Sequence, residues 1–239
     1  MADQGQGSVT ADKEHISKVL HSIADAFKSQ LRAPLLKTPA DVGLTYEDVT
    51  FLALDGVPLQ AWFIPCEESN KLIICNHPRG FNRYGQPSNQ EPWKSMLAKA
   101  GNDIEVDFTK DYRILHEAGY NVLTYDLRNH GHSGMSNGIV TNGRFESRDV
   151  VGAMRYVRSR DDLASMTTGL FSRCLGCSST IFALSRYAKE FVGVRCLVGA
   201  QPLSPRFYYE RMLTLSGIPV ECMSELDHLV RLATSFGFD

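Results

Sequence analysis

What this sequence lacks removes several classes of protein at once. Cysteine is sparse, at six residues in 239. That is too dilute for a disulfide-stapled scaffold, and Cys75 and Cys196 fall inside apolar runs, so the thiols are read as reduced. No apolar run approaches the roughly 20 residues of a membrane helix. The opening MADQGQGSVTADKEH also lacks the basic-then-apolar order of a signal peptide. A cytoplasmic protein with no membrane partner is expected. Neither sign of charge dominates, since 25 Lys and Arg nearly cancel 27 Asp and Glu, leaving a formal net charge of -2. Nothing in that balance gathers nucleic acid, and a small neutral substrate suits it. No G-x-x-x-x-G-K or G-x-G-x-x-G string follows an expected strand, which removes the phosphate-cradling loops. Repeats, low-complexity segments and interdomain linkers are absent too.

What is present suffices for one large core. With 43% hydrophobic residues over 239 positions, a single α/β domain is expected across 1–239. Residues 1–40 form an N-terminal helical extension and 201–239 a helical tail or partial cap. Ile16, Val19, Leu20, Ile23 and Phe27 share a helical face, with start signals at Thr10, Asp12 and Glu14 and a stop at Pro34. Residues 44–54 and 57–64 flank Asp55-Gly56, the signal of a two-residue antiparallel hairpin. The pattern then changes to short, continuously apolar runs of the kind found in buried parallel strands: 72–75, 121–125, 168–172 and 194–200. Helices are expected over 107–118, 144–160, 177–189, 206–215 and 223–235. The fold class is therefore a mainly parallel sheet with an antiparallel N-terminal hairpin and helices on both faces.

Ligands of an open α/β sheet sit beyond the carboxyl ends of the parallel strands, and the residues there are rich in chemistry. Cys75-Asn-His-Pro-Arg-Gly80 follows the first run, Asp126-Leu-Arg-Asn-His-Gly-His-Ser-Gly134 the second, and Ser172-Arg-Cys-Leu-Gly176 the third. Ser172-x-Cys174-x-Gly176 has the small-x-nucleophile-x-small spacing of a tight strand-to-helix elbow. A thiol there faces the N-terminus of the next helix, where the dipole favours thiolate.

On these residues the chain resembles the α/β-hydrolase family over roughly residues 44–200. GLFSRCLGCSSTIFAL is similar to its nucleophile elbow with cysteine in place of serine, as in the dienelactone-hydrolase-like, acyl-hydrolase branch. AGYNVLTYDLRNHGHSG is similar to the preceding strand and turn, and KLIICNHPRGF to the strand that leads into the oxyanion loop. The resemblance implies hydrolysis of an ester, thioester or lactone-like acyl bond through a covalent intermediate on Cys174, without a cofactor. It assigns the backbone N–H groups of Leu175 and Arg79 to the oxyanion. His77 corresponds to the family's structural histidine, with proton carriage as its other role, and His130 and His132 are expected at the pocket rim or as proton carriers. Asp126, Arg128, Gly131 and Ser133 match a supporting turn.

The family's acid and histidine follow two later strands that are not found here. Past residue 200 the only histidine is His228, in an amphipathic helix with Leu226, Leu229 and Leu232 inward. A sheet that stops after 194–200 leaves an open edge, which predicts homo-oligomers through it, a swapped segment or poor stability. The readings that remain are a hydrolase, a catalytically inactive hydrolase-fold binding protein or truncated fragment, and, from Cys174-Leu-Gly-Cys177, a thiol oxidoreductase. A metal site from Cys75, His77, His130, His132, Cys174 and Cys177 does not fit zinc-ligand spacing, so no metal is expected. Trp62, Trp93 and Tyr208-Tyr209 are candidate pocket aromatics or, more simply, core and surface anchors.

Overall fold

A computed structural model describes residues 5–28, 31–98, 103–136 and 138–238. The chain divides into two compact units, one of residues 31–137 and 142–202, the other of residues 1–30, 138–141 and 203–239.

The larger unit holds a six-stranded sheet in the order β1-β2-β6-β3-β7-β8. Its strands are β1 (Glu47–Leu52), β2 (Pro58–Ile64), β3 (Lys71–Asn76), β6 (Asn121–Tyr125), β7 (Thr167–Arg173) and β8 (Cys196–Ala200). β3, β6, β7 and β8 run parallel, while β2 is antiparallel to both β1 and β6. The four apolar runs are therefore strands. β6 is buried at every residue, as a central strand covered on both faces must be. The expected helices appear as α3 (Thr109–Glu117), α4 (Ser147–Ser159) and α5 (Leu175–Arg186). Under α3, Phe108 and Tyr112 pack with Leu44, Ile64, Cys75 and Val122. α4 buries Val150, Val151, Met154 and Val157 and lies against β1 and α5.

Two local features differ from the sequence reading. The hairpin closes through a three-residue loop: Ala53 N–H donates to Val57 (2.8 Å), Gly56 N–H donates to Ala53 (2.9 Å), and Gly56 has φ 86. Asp55-Gly56 sits in a turn that ends on a left-handed glycine, and the Asp55 carboxylate joins an ion cluster described below. Between residues 81 and 108 the chain also forms a two-stranded ribbon, β4 (Gly85–Gln86) with β5 (Val106–Asp107), and a short helix α2 (Trp93–Leu97). Strands of two residues carry no readable periodicity. Trp62 is a core residue, the simpler of its two readings: its indole N–H donates to Asp48 (3.0 Å) and the Arg83 guanidinium lies 4.6 Å from its ring centre.

In the smaller unit, α1 (Gly5–Asp25) packs with α6 (Pro205–Leu215) and α7 (Met223–Thr234). Leu20, Ala24 and Phe27 share one apolar cluster with Tyr209, Leu213 and Leu226, and the Phe27 and Tyr209 rings are 5.4 Å apart. The two ends of the chain, expected as separate additions to a single domain, thus form a unit of their own. Linear spacing cannot show that residues nearly 200 positions apart share a core. α1 starts upstream of Thr10, Asp12 and Glu14, which lie inside it, because helix ends are weakly specified beside the apolar face that docks. In α7 the buried stripe is Met223, Leu226, Val230 and Thr234; Leu232 is exposed, being too far round the helix from Leu226. His228 is exposed. Among the described residues, no helix is long and apolar enough to cross a membrane.

Candidate active site

The elbow is built by β7 running straight into α5. Cys174 sits between them at φ 47, ψ -112, a conformation that non-glycine residues avoid and that costs on the order of 1–3 kcal/mol. Three backbone bonds hold it there. Cys174 N–H donates to Ala200 on β8 (2.8 Å), Ser178 N–H donates to the Cys174 carbonyl (2.9 Å), and Gly176 N–H donates to the His77 carbonyl (3.1 Å). The last of these ties the elbow to the loop after β3. The Leu175 N–H is the first in α5 and so lacks an intrahelical acceptor.

Below the elbow lies a buried polar network that sequence spacing does not reveal. Asn76 Nδ2 donates to Ser172 Oγ (2.8 Å), Ser172 and Thr180 share a hydroxyl bond (2.8 Å), and the Tyr125 hydroxyl donates to Asn76. The small residue at the start of the elbow motif thus supplies a bond that fastens β3 to β7. Arg173, the residue before Cys174, pairs with Asp111 (2.6 Å) and stacks on Phe171 and Phe108.

The structure brings His77 and His130 together, with ring centres 5.0 Å apart. Both rings are almost wholly buried. His77 Nδ1–H donates to the Pro78 carbonyl (2.7 Å), and its Nε2 accepts the Leu127 N–H (2.9 Å), so both nitrogens serve backbone. His130 Nδ1–H donates to the Arg128 carbonyl (2.8 Å), and its Nε2 has no partner among the described residues. Burial, then the neighbouring His130, holds the His77 imidazole well below its ordinary range. Burial likewise pushes His130 down to about 4, with Arg79 and Arg32 acting in the same direction. His132 is exposed. Arg79 is half-buried beyond His77, in a turn closed by Phe81 N–H to the Pro78 carbonyl (3.3 Å).

A depressed histidine pKa stabilises the fold fully above the unfolded value near 6.5, and that contribution is lost as pH falls toward the folded value. For His130 the window is pH 6.5 down to about 4, worth about 3 kcal/mol. Asp126 and Asp149, whose carboxyls burial raises, work in the opposite sense, so the test is a difference. The stability gap between wild type and His130→Gln, from urea unfolding, is expected to shrink by about 3 kcal/mol in favour of the variant between pH 7 and 4. A gap that does not change with pH refutes a buried neutral His130.

The turn after β6 is held by Asp126, which accepts the backbone N–H groups of Arg83 and His132 (both 2.7 Å) and pairs with the Arg83 guanidinium. Ser133 Oγ donates to the Asp126 carbonyl (2.6 Å) and accepts the Gln60 N–H (2.9 Å). Arg128, wholly buried, reaches Asp149 on α4 (2.7 Å) and Asp55 in the hairpin loop (2.6 Å). Arg32, for which the sequence offers no signal, clamps the same turn by donating to the carbonyls of Gly131 (3.0 Å) and Ser133 (2.8 Å).

All six cysteines are free. Cys177 is buried, and burial together with the Cys174 charge raises its thiol. Burial pushes Cys75 up to about 12. Among the described residues, no group of three or more His, Cys, Asp or Glu side chains is arranged to hold a metal.

A strand order that reverses at β6, parallel strands whose carboxyl ends carry the site, and a strained residue between strand and helix define the α/β-hydrolase fold, and the chain has that fold. Among solved structures it is similar to the esterase Pf2001 of Pyrococcus furiosus, at 23% identity and a TM-score of 0.57, covering 80% of this chain and 66% of the esterase. A second crystal form of that esterase gives 22% identity and a TM-score of 0.59, covering 85% and 68%. The chain therefore spans about two thirds of the esterase's length. No family profile and no curated protein matches it.

Proposed function

We propose that this chain is an acyl hydrolase of the α/β-hydrolase type that attacks an ester, thioester or lactone-like carbonyl with Cys174. One observation carries the reading: a cysteine at φ 47, ψ -112, at the carboxyl end of a parallel strand and the N-terminus of a helix. A protein tolerates such strain where it exposes a reacting group. The activity in the name of the similar Pyrococcus structure, an esterase, points the same way.

In this reading the Cys174 thiolate adds to the carbonyl carbon, and the carbonyl electron pair moves onto oxygen. The Leu175 N–H, with no intrahelical acceptor, and the Arg79 N–H on the loop tied to the elbow through Gly176 and His77 receive that charge. Each donor of this kind supplies about 2.7–4 kcal/mol of transition-state stabilisation. Collapse of the adduct breaks the bond to the alcohol or thiol, which leaves with the proton given up by Cys174, and an acyl thioester remains. Water then cleaves the thioester, releasing the acid and restoring the thiol. His77 fastens two loops in this scheme, because backbone takes both of its nitrogens. Among the described residues, no histidine is hydrogen-bonded to the Cys174 sulfur, so the second step is slow and the acyl thioester accumulates.

Intact-mass analysis after brief exposure to p-nitrophenyl acetate tests this. One acetyl adduct per chain, nitrophenol released in a single burst, and no adduct on Cys174→Ala are the expected results. Labelling of wild type no faster than that of Cys174→Ala leaves the other reading, a hydrolase-fold binding protein without chemistry, which the lack of a histidine bonded to Cys174 favours. A Cys174 to Cys177 redox couple is disfavoured by the burial that raises the Cys177 thiol, since an exchanging thiol needs thiolate character.

A further inference from the structure

β8 ends the sheet without the protection that edge strands ordinarily carry. Among the described residues it pairs with β7 alone, and Cys196, Leu197, Val198 and Gly199 are all exposed, Val198 by 57%. Natural edges are blunted by a charge, a proline or a bulge. Cys196–Ala200 contains neither charge nor proline, and its register with β7 runs unbroken from Gly169↔Cys196 to Arg173↔Ala200. Val192, a few residues before β8, and Ile181 on α5 are also exposed.

We infer that this edge pairs antiparallel with the same edge of a second copy, continuing the sheet across two molecules. The Ala200 carbonyl accepts Cys174 N–H from the β7 side (2.8 Å). By alternation Val198 and Cys196 also direct their backbone groups toward β7, and Leu197 and Gly199 direct theirs outward. One antiparallel register sets the whole strand against its copy: Val198 opposite Val198, Leu197 opposite Gly199, Cys196 opposite Ala200. In it the outward N–H and C=O groups of Leu197 and Gly199 exchange hydrogen bonds reciprocally, and Val198 falls at a non-hydrogen-bonded position on the two-fold axis. Sizes match as well, because each Leu197 covers a partner glycine and each Cys196 meets an alanine. No like charges face each other, since the flanking Arg195 comes opposite Gln201. The ladder stops there: Arg195 N–H donates to Thr168 (2.9 Å), and Gln201, at φ 54, turns the chain into Pro202. Such an isologous contact closes on itself and ends at a dimer.

Sedimentation equilibrium across a wide concentration range tests the proposal. Wild type is expected to pass from one chain to two as concentration rises. Val198→Lys sets two ammonium groups against each other on the axis and should weaken the dimer by at least about tenfold. Leu52→Lys, at an exposed position on the opposite edge strand β1, should change nothing. Amide exchange of wild type alone provides a readout that needs no variant: Leu197 and Gly199 should be protected at high concentration and lose that protection on dilution. A chain that stays monomeric throughout, a dimer that survives Val198→Lys, or exchange at Leu197 and Gly199 that ignores concentration each overturns the pairing. None of these outcomes depends on whether Cys174 is acylated.

Discussion

Arg128→Met is expected to lower the unfolding free energy by about 3–5 kcal/mol, a large share of what holds a domain of this size folded. Arg128 is wholly buried and is the counter-charge of an equally buried carboxylate. Its Nε donates to Asp149 Oδ1 (2.8 Å), its Nη2 lies 2.7 Å from the same oxygen, and its backbone N–H donates to Asp149 Oδ2 (2.9 Å). Nη1 and Nη2 also reach both oxygens of Asp55 (3.0 and 2.6 Å), which Arg148 further neutralises (2.8 Å). These bonds hold the Asp55 carboxyl down at about 2 even though burial opposes them. Methionine fills the volume but leaves Asp149 uncompensated with only one N–H to bind, and an unpaired buried charge is among the most costly defects a core can carry. The sign with pH follows. An acid whose folded pKa is raised binds its proton preferentially in the native state, so the variant should lose further stability as pH rises through the folded value. Urea unfolding at pH 5 and 8 measures both effects. Arg128→Met combined with Asp149→Leu should recover most of the loss, because an apolar replacement of a buried pair is often neutral. A single variant within about 1 kcal/mol of wild type would mean that the cluster is looser than its distances indicate.

The second large effect is expected at Gly176, where, under the proposed function, Gly176→Ala should slow acylation of Cys174 by about a hundredfold while most of the fold survives. A Cβ added at Gly176 would stand 2.7 Å from the backbone carbon and oxygen of Asn76 and from its Cβ. That is closer than any real methyl tolerates, and the obstacle is backbone at the end of a central strand, which cannot swing aside. The first turn of α5 must therefore back away from β3, carrying the Leu175 N–H with it and stretching the bond from Gly176 to the His77 carbonyl. Misplacing the proposed oxyanion donor by about 1 Å is enough for a loss of that order. The change should also cost about 1–3 kcal/mol of stability through overpacking. Stopped-flow release of nitrophenol separates the two, since a merely destabilised enzyme acylates at the wild-type rate per folded molecule. A rate that tracks only the folded fraction would remove the elbow-to-loop tie from the mechanism.

The two predictions act through opposite ends of one design. Arg128, Asp126 and Arg32 fasten the loop after β6 from three directions, to α4, to Arg83 and to the segment before β1. The loop after β3 is in turn bonded to the loop after β6 through His77 and Leu127, and to the elbow through His77 and Gly176. Loops are the mobile part of most folds, and here buried polar bonds substitute for regular secondary structure in holding them still.

How much of this was legible in the chain depended on whether the signal was local. The apolar runs at 72–75, 121–125 and 168–172 and the helices at 109–117 and 147–159 follow from period and punctuation alone, because burial on both faces admits little else at a strand and one face is enough for a helix. The elbow spacing Ser172-x-Cys174-x-Gly176 could be read as a local string, although the contacts that require its small residues lie on β3: Ser172 Oγ accepts from Asn76 Nδ2, and a Cβ at Gly176 would meet the Asn76 backbone. Wherever the decisive partner lay far away in sequence, the linear pattern was silent. Arg32 and the carbonyls of Gly131 and Ser133 are about a hundred positions apart, Ser172 and Asn76 nearly as far, and Leu20 and Leu226 farther still. Asp55-Gly56 reads as a two-residue turn until Arg128 reaches its carboxylate. His77 reads as a structural histidine or a proton carrier and His130 as a pocket-rim residue or a proton carrier, and the choice waits on backbone taking both nitrogens of the one and on burial lowering the other. A residue's type and spacing settle which local structure it can enter, whereas its charge state, its partner and its strain are set by whatever the fold brings against it, and only the assembled tertiary structure contains that information.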